Sequence, residues 1–205
     1  MKRALELSKE LVKVLEEKKE ECKNVEQYEL STLNPGEVFK IGEYDFMILE
    51  QMEGQTAVIS KKFMAENKKF DDDTRDYNKS AIKKIIESEI KPVIEAAVGA
   101  DNIVEHEVDL TSVDMQKEFE SCRCKVRLIT FDEARKYNNL IADNTLSDCW
   151  WTLTPWSTEE RGYKYTIAVV CPSGRIFNYY YFYIYAVRPF CILKSNIFVS
   201  KGGQK

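Results

Sequence analysis

The chain has 205 residues, 44% of them hydrophobic and 31% charged, enough to bury one sizeable core and carry a small appendage. With 30 Lys and Arg against 34 Asp and Glu, the net charge of −4 is too small an imbalance to steer the chain to nucleic acid or to an anionic membrane. The 8 Gly, 5 Pro and 12% aromatic residues exclude disordered and collagen-like classes. Apolar runs such as 166–171 are far shorter than a bilayer helix needs, and the Lys-studded start has no signal-peptide apolar centre. Membrane insertion is therefore not expected, and synthesis in the cytoplasm is.

Residues 1 to about 22 place Ala4, Leu5, Ser8, Leu11, Val12 and Leu15 every three or four positions, which predicts an amphipathic helix. It either docks on its own domain or pairs with other copies as a short coiled coil. Asn34-Pro35-Gly36 marks a turn, and Glu37–Gly42, Tyr44–Glu50 and Thr56–Ser60 read as three strands of a meander, turning at Gly42 and at Glu53-Gly54. The acidic run Asp71–Asp76 reads as a solvated loop with an N-cap for the next helix; calcium ligation would need interleaved spacing and a closing Glu. From Ser80 to about Val98, the apolar residues Ala81, Ile82, Ile85, Ile86, Ile90, Val93, Ile94 and Ala97 predict the main core helix, with a kink at Pro92 and a stop at Gly99. Val126–Ile129 reads as a short strand, and Thr130-Phe131-Asp132-Glu133 as a capping box opening a second helix to about Tyr137.

Six cysteines, at 22, 122, 124, 149, 171 and 191, lack the dense spacing of a secreted disulfide scaffold, so reduced thiols are expected. A zinc site from Cys122, Cys124, Cys149 and His106 matches no common ligand spacing, and no metal or cofactor is assigned. His106, the single histidine, sits between two glutamates in what reads as a solvated segment. The nucleophile-elbow, phosphate-loop, zinc-protease and dinucleotide motifs are all missing, and no catalytic residue is assigned.

The last third is aromatic. Trp150, Trp151 and Trp156 fall within seven residues, with Pro155 limiting the regularity of a strand there. Tyr165–Val170 reads as a strand and Pro172-Ser173-Gly174 as a turn. The tract Ile176–Tyr185 then holds seven Tyr or Phe side chains with no alternating polar face. Read as one strand, it is either a buried central strand or a strand that displays one of its faces, as tyrosine-rich antibody loops do.

Cys149–Pro155 resembles the W-W-L-R-S-P element, and Tyr185–Phe190 the G-V-R-P-A/F element, of a large uncharacterised domain family common in gut Firmicutes and their prophages. Val126–Ala134 is similar to that family's L-L-T/S-x-x-E-A stretch and Ser80–Ile90 to its S-x-x-R-x-W-L-N helix, so the resemblance covers about residues 35–200. Many members resemble the C-type-lectin-fold variable proteins of diversity-generating retroelements, in which an error-prone reverse transcriptase rewrites adenines near the 3′ end of a gene. Mutating the adenines of an Asn codon yields Asn, Tyr, Phe, Ile, Ser, Cys and Arg among others, and every residue from Ile176 to Tyr185 belongs to that set. Ala186 departs from the family's Gly before Val-Arg-Pro, and Thr152 to Thr154 replace its arginine and serine.

The resemblance implies an α+β, C-type-lectin-like fold with a mixed, mostly antiparallel sheet and two main helices, preceded by the amphipathic helix. The expected divisions are 1–33 helix and linker, 34–200 lectin-like domain with variable region 175–186, and 201–205 flexible tail. Arg175, Ile176, Phe177, Asn178, Tyr179, Tyr180, Tyr181, Tyr183 and Tyr185 are the expected variable ligand-binding residues and Trp156 their rim. Trp150, Trp151, Arg188 and Pro189 are the expected scaffold. The implied partner is a protein or cell-surface ligand, with the N-terminal helix as a route to homo-oligomers and the virion as one location. Two alternatives stand beside it. One is a relative of the formylglycine-generating oxidases using Cys171 and Cys191; the other is a structural phage component with the tyrosines buried.

Overall fold

In the computed structural model, which describes residues 26–202, the predicted meander forms where β-branched and aromatic residues alternate. After a short β1 (Gln27–Glu29), β2 (Val38–Ile41), β3 (Tyr44–Met52) and β4 (Gln55–Ser60) pair in sequence, with Gly42 at φ +59° and Gly54 at φ +67° in the two tight turns. β5 (Ala65–Lys69) leads to the acidic loop. There Asp71 accepts from the N–H groups of Asp73, Thr74 and Ala81, and so helps cap the core helix. The predicted N-terminal helix lies outside the described residues. Lys201 and Gly202, expected in a loose tail, bond to the backbone of β2.

The core helix forms as α1 (Ala81–Ile85), a π-helical stretch (Ile86–Ile90) and α2 (Lys91–Val98), with Ser80 Oγ accepting from Lys83 N–H at the start. Pro92, which donates no backbone hydrogen bond, stands in the first turn of α2, directly after the π-helical stretch. Ile82, Ile86, Ile90 and Ile94 are its buried stripe, while Val93 and Ala97, expected on the same face, are exposed. β6 (His106–Val108), β7 (Cys122–Cys124) and β8 (Val126–Leu128) come next. The Thr130/Glu133 capping box then opens α3 (Phe131–Lys136), succeeded by α4 (Asn138–Ile141).

The remaining strands are β9 (Trp150–Pro155), β10 (Thr166–Val170), β11 (Ile176–Tyr180), β12 (Ile184–Val187), β13 (Pro189–Lys194) and β14 (Phe198–Ser200). One sheet runs β11-β10-β9-β12-β5 and the other β2-β3-β4-β13-β8, while β1 pairs β14 and β6 pairs β7. The fold is thus mixed α+β and mostly antiparallel, the exception being the β9–β12 pair. Among the described residues no helix is long and apolar enough to cross a membrane.

Both faces of the second sheet are covered. Ile48, Val58 and Cys191 face one core with the helical stripe, while Met47, Ile59 and Phe190 face another with Tyr137 and Ile141. The adjacent Trp150 and Trp151, both fully buried, split between these cores because successive strand residues point to opposite faces. Cys149 and Cys171 flank the Trp150–Val170 pair and are joined as a disulfide, which corrects the expectation of reduced thiols for this pair, while Cys122, Cys124 and Cys191 are free. Their 22-residue separation hides a cross-strand contact that only the β9–β10 pairing creates.

β12 and β13 are nearly continuous, and Arg188 stands alone between them, fully buried, where the chain passes from one sheet to the other. Its Nε donates to Ser60 O and its Nη1 to Ile141 O, both at 2.8 Å, and the guanidinium lies 4.8 Å from the Trp150 ring centroid. Burial lowers its pKa to about 10, against an opposing pull from Asp143. Arg188→Ala would strand two buried carbonyls and open a void, with an expected loss of about 3–5 kcal/mol in chemical denaturation.

Candidate ligand-binding surface

The aromatic tract does not form one strand. β11 ends at Tyr180, a turn closed by Tyr183 N–H to Tyr180 O (3.0 Å) covers Tyr181–Tyr183, and β12 begins at Ile184 on the far side of β9 and β10. The main chain fixes this turn. Tyr181 N–H donates to Tyr165 O (2.9 Å), and Tyr181 O accepts from Phe70 N–H (3.0 Å) and Asp71 N–H (3.2 Å). Tyr181 is buried at 6% exposure, so it leaves the expected ligand-binding set and becomes the anchor of the turn.

Around that anchor the tract divides by depth. Tyr180, Phe182, Tyr183 and Ile184 are 40–51% exposed, with Tyr180 and Phe182 stacked at 5.3 Å and 4°. Phe177, Tyr179 and Tyr185 are half-buried against the core, as is Ile176 against the second core. Tyr179 sits edge-on to Tyr183 at 4.6 Å and to Tyr185 at 5.3 Å, and Tyr185 meets Trp151 at 5.1 Å. Burial and the neighbouring Tyr179 raise the Tyr185 phenol to about 12. A continuous chain of rings thus runs from solvent to the buried tryptophan.

On the outer edge, Arg175 is exposed and its guanidinium lies 5.2 Å from the Phe177 ring, while Asn178 is half-buried opposite Ala168. Trp156 is half-buried just beyond β9, its N–H bonded to Thr166 O at 3.1 Å. Among the described residues its ring pairs with none of the tract's rings. Pro189 is buried at the start of β13 beside Arg188.

Three exposed contributors are not evident in the sequence. Tyr165, 45% exposed, lies 6.4 Å from Phe182 and carries Lys164 Nζ at 5.9 Å from its ring. Phe182 and Ile184 lie inside the expected variable region 175–186 but outside the expected binding set, and both are exposed. The alternation of Tyr163-Lys164-Tyr165 just before a strand is the available signal for Tyr165.

Cys171 and Cys191, the candidate oxidase pair, are not brought together. Cys171 is bonded to Cys149, and Cys191 is buried on β13 opposite Val58, where burial raises its thiol to about 12. Cys149 is likewise unavailable to the zinc set, and His106 is not solvated as expected. Its Nε2 accepts from Arg127 Nε at 2.7 Å beside a groove of about 470 Å³. Arg127 also holds Glu133 through both Nη atoms at 2.7 and 2.6 Å. Burial raises the Glu133 carboxyl, but the bonds from Arg127 and Thr130 outweigh it and leave the group below its ordinary value. Burial and then Arg127 lower the His106 pKa, with Glu133 and Glu105 opposing. These groups satisfy one another, which makes them a structural network.

No family model, curated protein or solved structure matches the chain.

Tyr183→Ser is expected to cost less than about 1 kcal/mol and Tyr181→Ser about 3 kcal/mol in urea unfolding, because only the second empties a packed site. The folded chain holds the His106 pKa below the unfolded value of about 6.5, so the unfolded chain takes up the proton first and this residue removes stability as pH falls through that value. His106→Gln, which retains an acceptor for Arg127, should therefore show a smaller drop in unfolding midpoint than the wild type between about pH 7 and pH 5.

Proposed function

We propose that this chain is a non-catalytic binding protein on a C-type-lectin-like scaffold, meeting a protein or cell-surface ligand through the exposed rings around Tyr180, Phe182 and Tyr183. We further propose that a retroelement diversifies codons 175–186. The observation that carries the reading is an aromatic tip displayed on a turn whose position is set by main-chain bonds. Large exposed aromatic patches are uncommon without a partner, and tyrosine offers rigid amphipathic contact area at low entropic cost. Changing Tyr180, Phe182, Tyr183 or Ile184 removes none of the backbone bonds of Tyr181, so side chains can vary while the support stays fixed.

The mixed, mostly antiparallel α+β architecture is compatible with the lectin-like class, and the Cys149–Cys171 bond suits a surface that works in an oxidising setting outside the cell. Synthesis in the cytoplasm followed by association with a virion accommodates both.

Codon-by-codon sequencing of this gene from a host population tests diversification. Variants should gather at the first two positions of codons 175, 177, 178, 180, 182, 183 and 184, where an Asn codon carries its two adenines, with Trp150, Trp151, Arg188 and Pro189 constant; a tract as constant as the scaffold overturns it. Binding is tested separately, by comparing labelled wild type with Tyr180→Ser/Phe182→Ser/Tyr183→Ser on cells from the same community. Equal binding by a folded triple variant removes the aromatic tip from the contact.

A further inference from the structure

Away from the aromatic tip, two cavities adjoin beside β14. The larger, about 890 Å³, has Met52, Ile103 and Val104 in its lining, and the smaller, about 340 Å³, has Ala97, Val98, Ile197 and Phe198. Asn196 lines both, and the consecutive Asp101 and Asn102 line one each, so the two are neighbours on one side of the molecule, together termed the trough. Apolar side chains of both linings are left open: Phe198 is 66% exposed and Met52 37%. The larger cavity is ringed by Glu29, Glu53, Asp101 and Glu105 against the single cation Lys194.

We propose that this trough is the docking site of the chain's own residues 1–22, laid along it as a helix. Four observations single out that occupant. The chain enters the described body at β1, where Gln27 pairs with Ser200 next to Val199, which lines the smaller cavity. The four residues 23–26 span at most about 13 Å, which keeps the segment close to this side of the molecule. The predicted helix carries one stripe, Ala4, Leu5, Ser8, Leu11, Val12 and Leu15, suited to the exposed apolar side chains Phe198 and Met52 that line the two cavities. Over 22 residues it would extend about 33 Å, so its first half reaches past the smaller cavity. That half bears Lys2, Arg3 and Lys9 against Glu6 and Glu10, a net positive charge complementary to the acidic rim.

Docking covers Phe198 and Met52 and gives a marginal isolated helix the tertiary contacts it needs. It leaves the tip around Tyr180 untouched.

The test is hydrogen exchange on the full-length protein, read by mass spectrometry at two concentrations tenfold apart, with Met52→Glu/Phe198→Glu as the trough variant and Leu11→Glu/Leu15→Glu as the helix variant. Docking predicts that amides of residues 4–15 exchange about tenfold or more slowly than an unstructured chain at both concentrations. Each variant should release that protection, with β9 and β10 unchanged as the control for folding. The helix variant should also speed exchange at residues 97–105 and 194–199. Fast exchange of residues 4–15 in the wild type overturns the proposal. Protection that survives the trough variant and fades on dilution also overturns it, and assigns the helix to a coiled coil between copies.

Discussion

Burying the Arg188 guanidinium is costly, and the chain accepts that cost at the point where it passes from one sheet to the other. The carbonyls it satisfies come from opposite directions, Ser60 at the end of β4 and Ile141 at the end of α4, so three separate parts of the sequence are positioned by one planar group. Trp150 packs against the guanidinium, and Ala186 pairs with Trp150 across the parallel contact. With this corner fixed, β12 is held between β9 and β5, and the direction of the preceding turn is fixed with it.

The turn carries this order to the surface. Tyr181 ties it to Tyr165 on one side and to Phe70 and Asp71 on the other, bridging the loop after β5 and the start of β10. Supports and displayed rings then alternate in depth, with Tyr179 and Tyr185 joining the exposed Tyr183 to Trp151. A pedestal of this kind has little conformational entropy left to lose on contact with a partner, because the rings are already held by their neighbours.

Local signals are legible in the sequence because their physics is local. Gly42 and Gly54 adopt positive φ in tight turns, the Thr130/Glu133 box closes within four residues, and the isoleucine stripe from 82 to 94 keeps helical spacing. The features that stay hidden depend on partners distant in the chain. Tyr181-Phe182-Tyr183 contains no turn-forming residue, and its turn is imposed by Tyr165, Phe70 and Asp71, so composition alone reads it as strand. His106 looks solvated between two glutamates, yet Arg127, 21 residues away, takes it into a buried network. The Cys149–Cys171 bond requires the β9–β10 register, and the surface role of Tyr165 requires the position of Phe182.

The passage of the chain from β12 into β13 also dictates an order of events during synthesis. β13 lies between β4 and β8, and β12 between β9 and β5, so residues 184–194 form the interior of both sheets although they are translated after all four neighbours. Until they emerge from the ribosome, β4 and β8 present apolar edges, Val58, Ile59, Val126 and Leu128 among them, with nothing to pair against. Neither half of this molecule can finish folding ahead of the other. A nascent chain stalled before residue 184 is thus a sticky one, dependent on chaperones or on rapid translation to reach the native state.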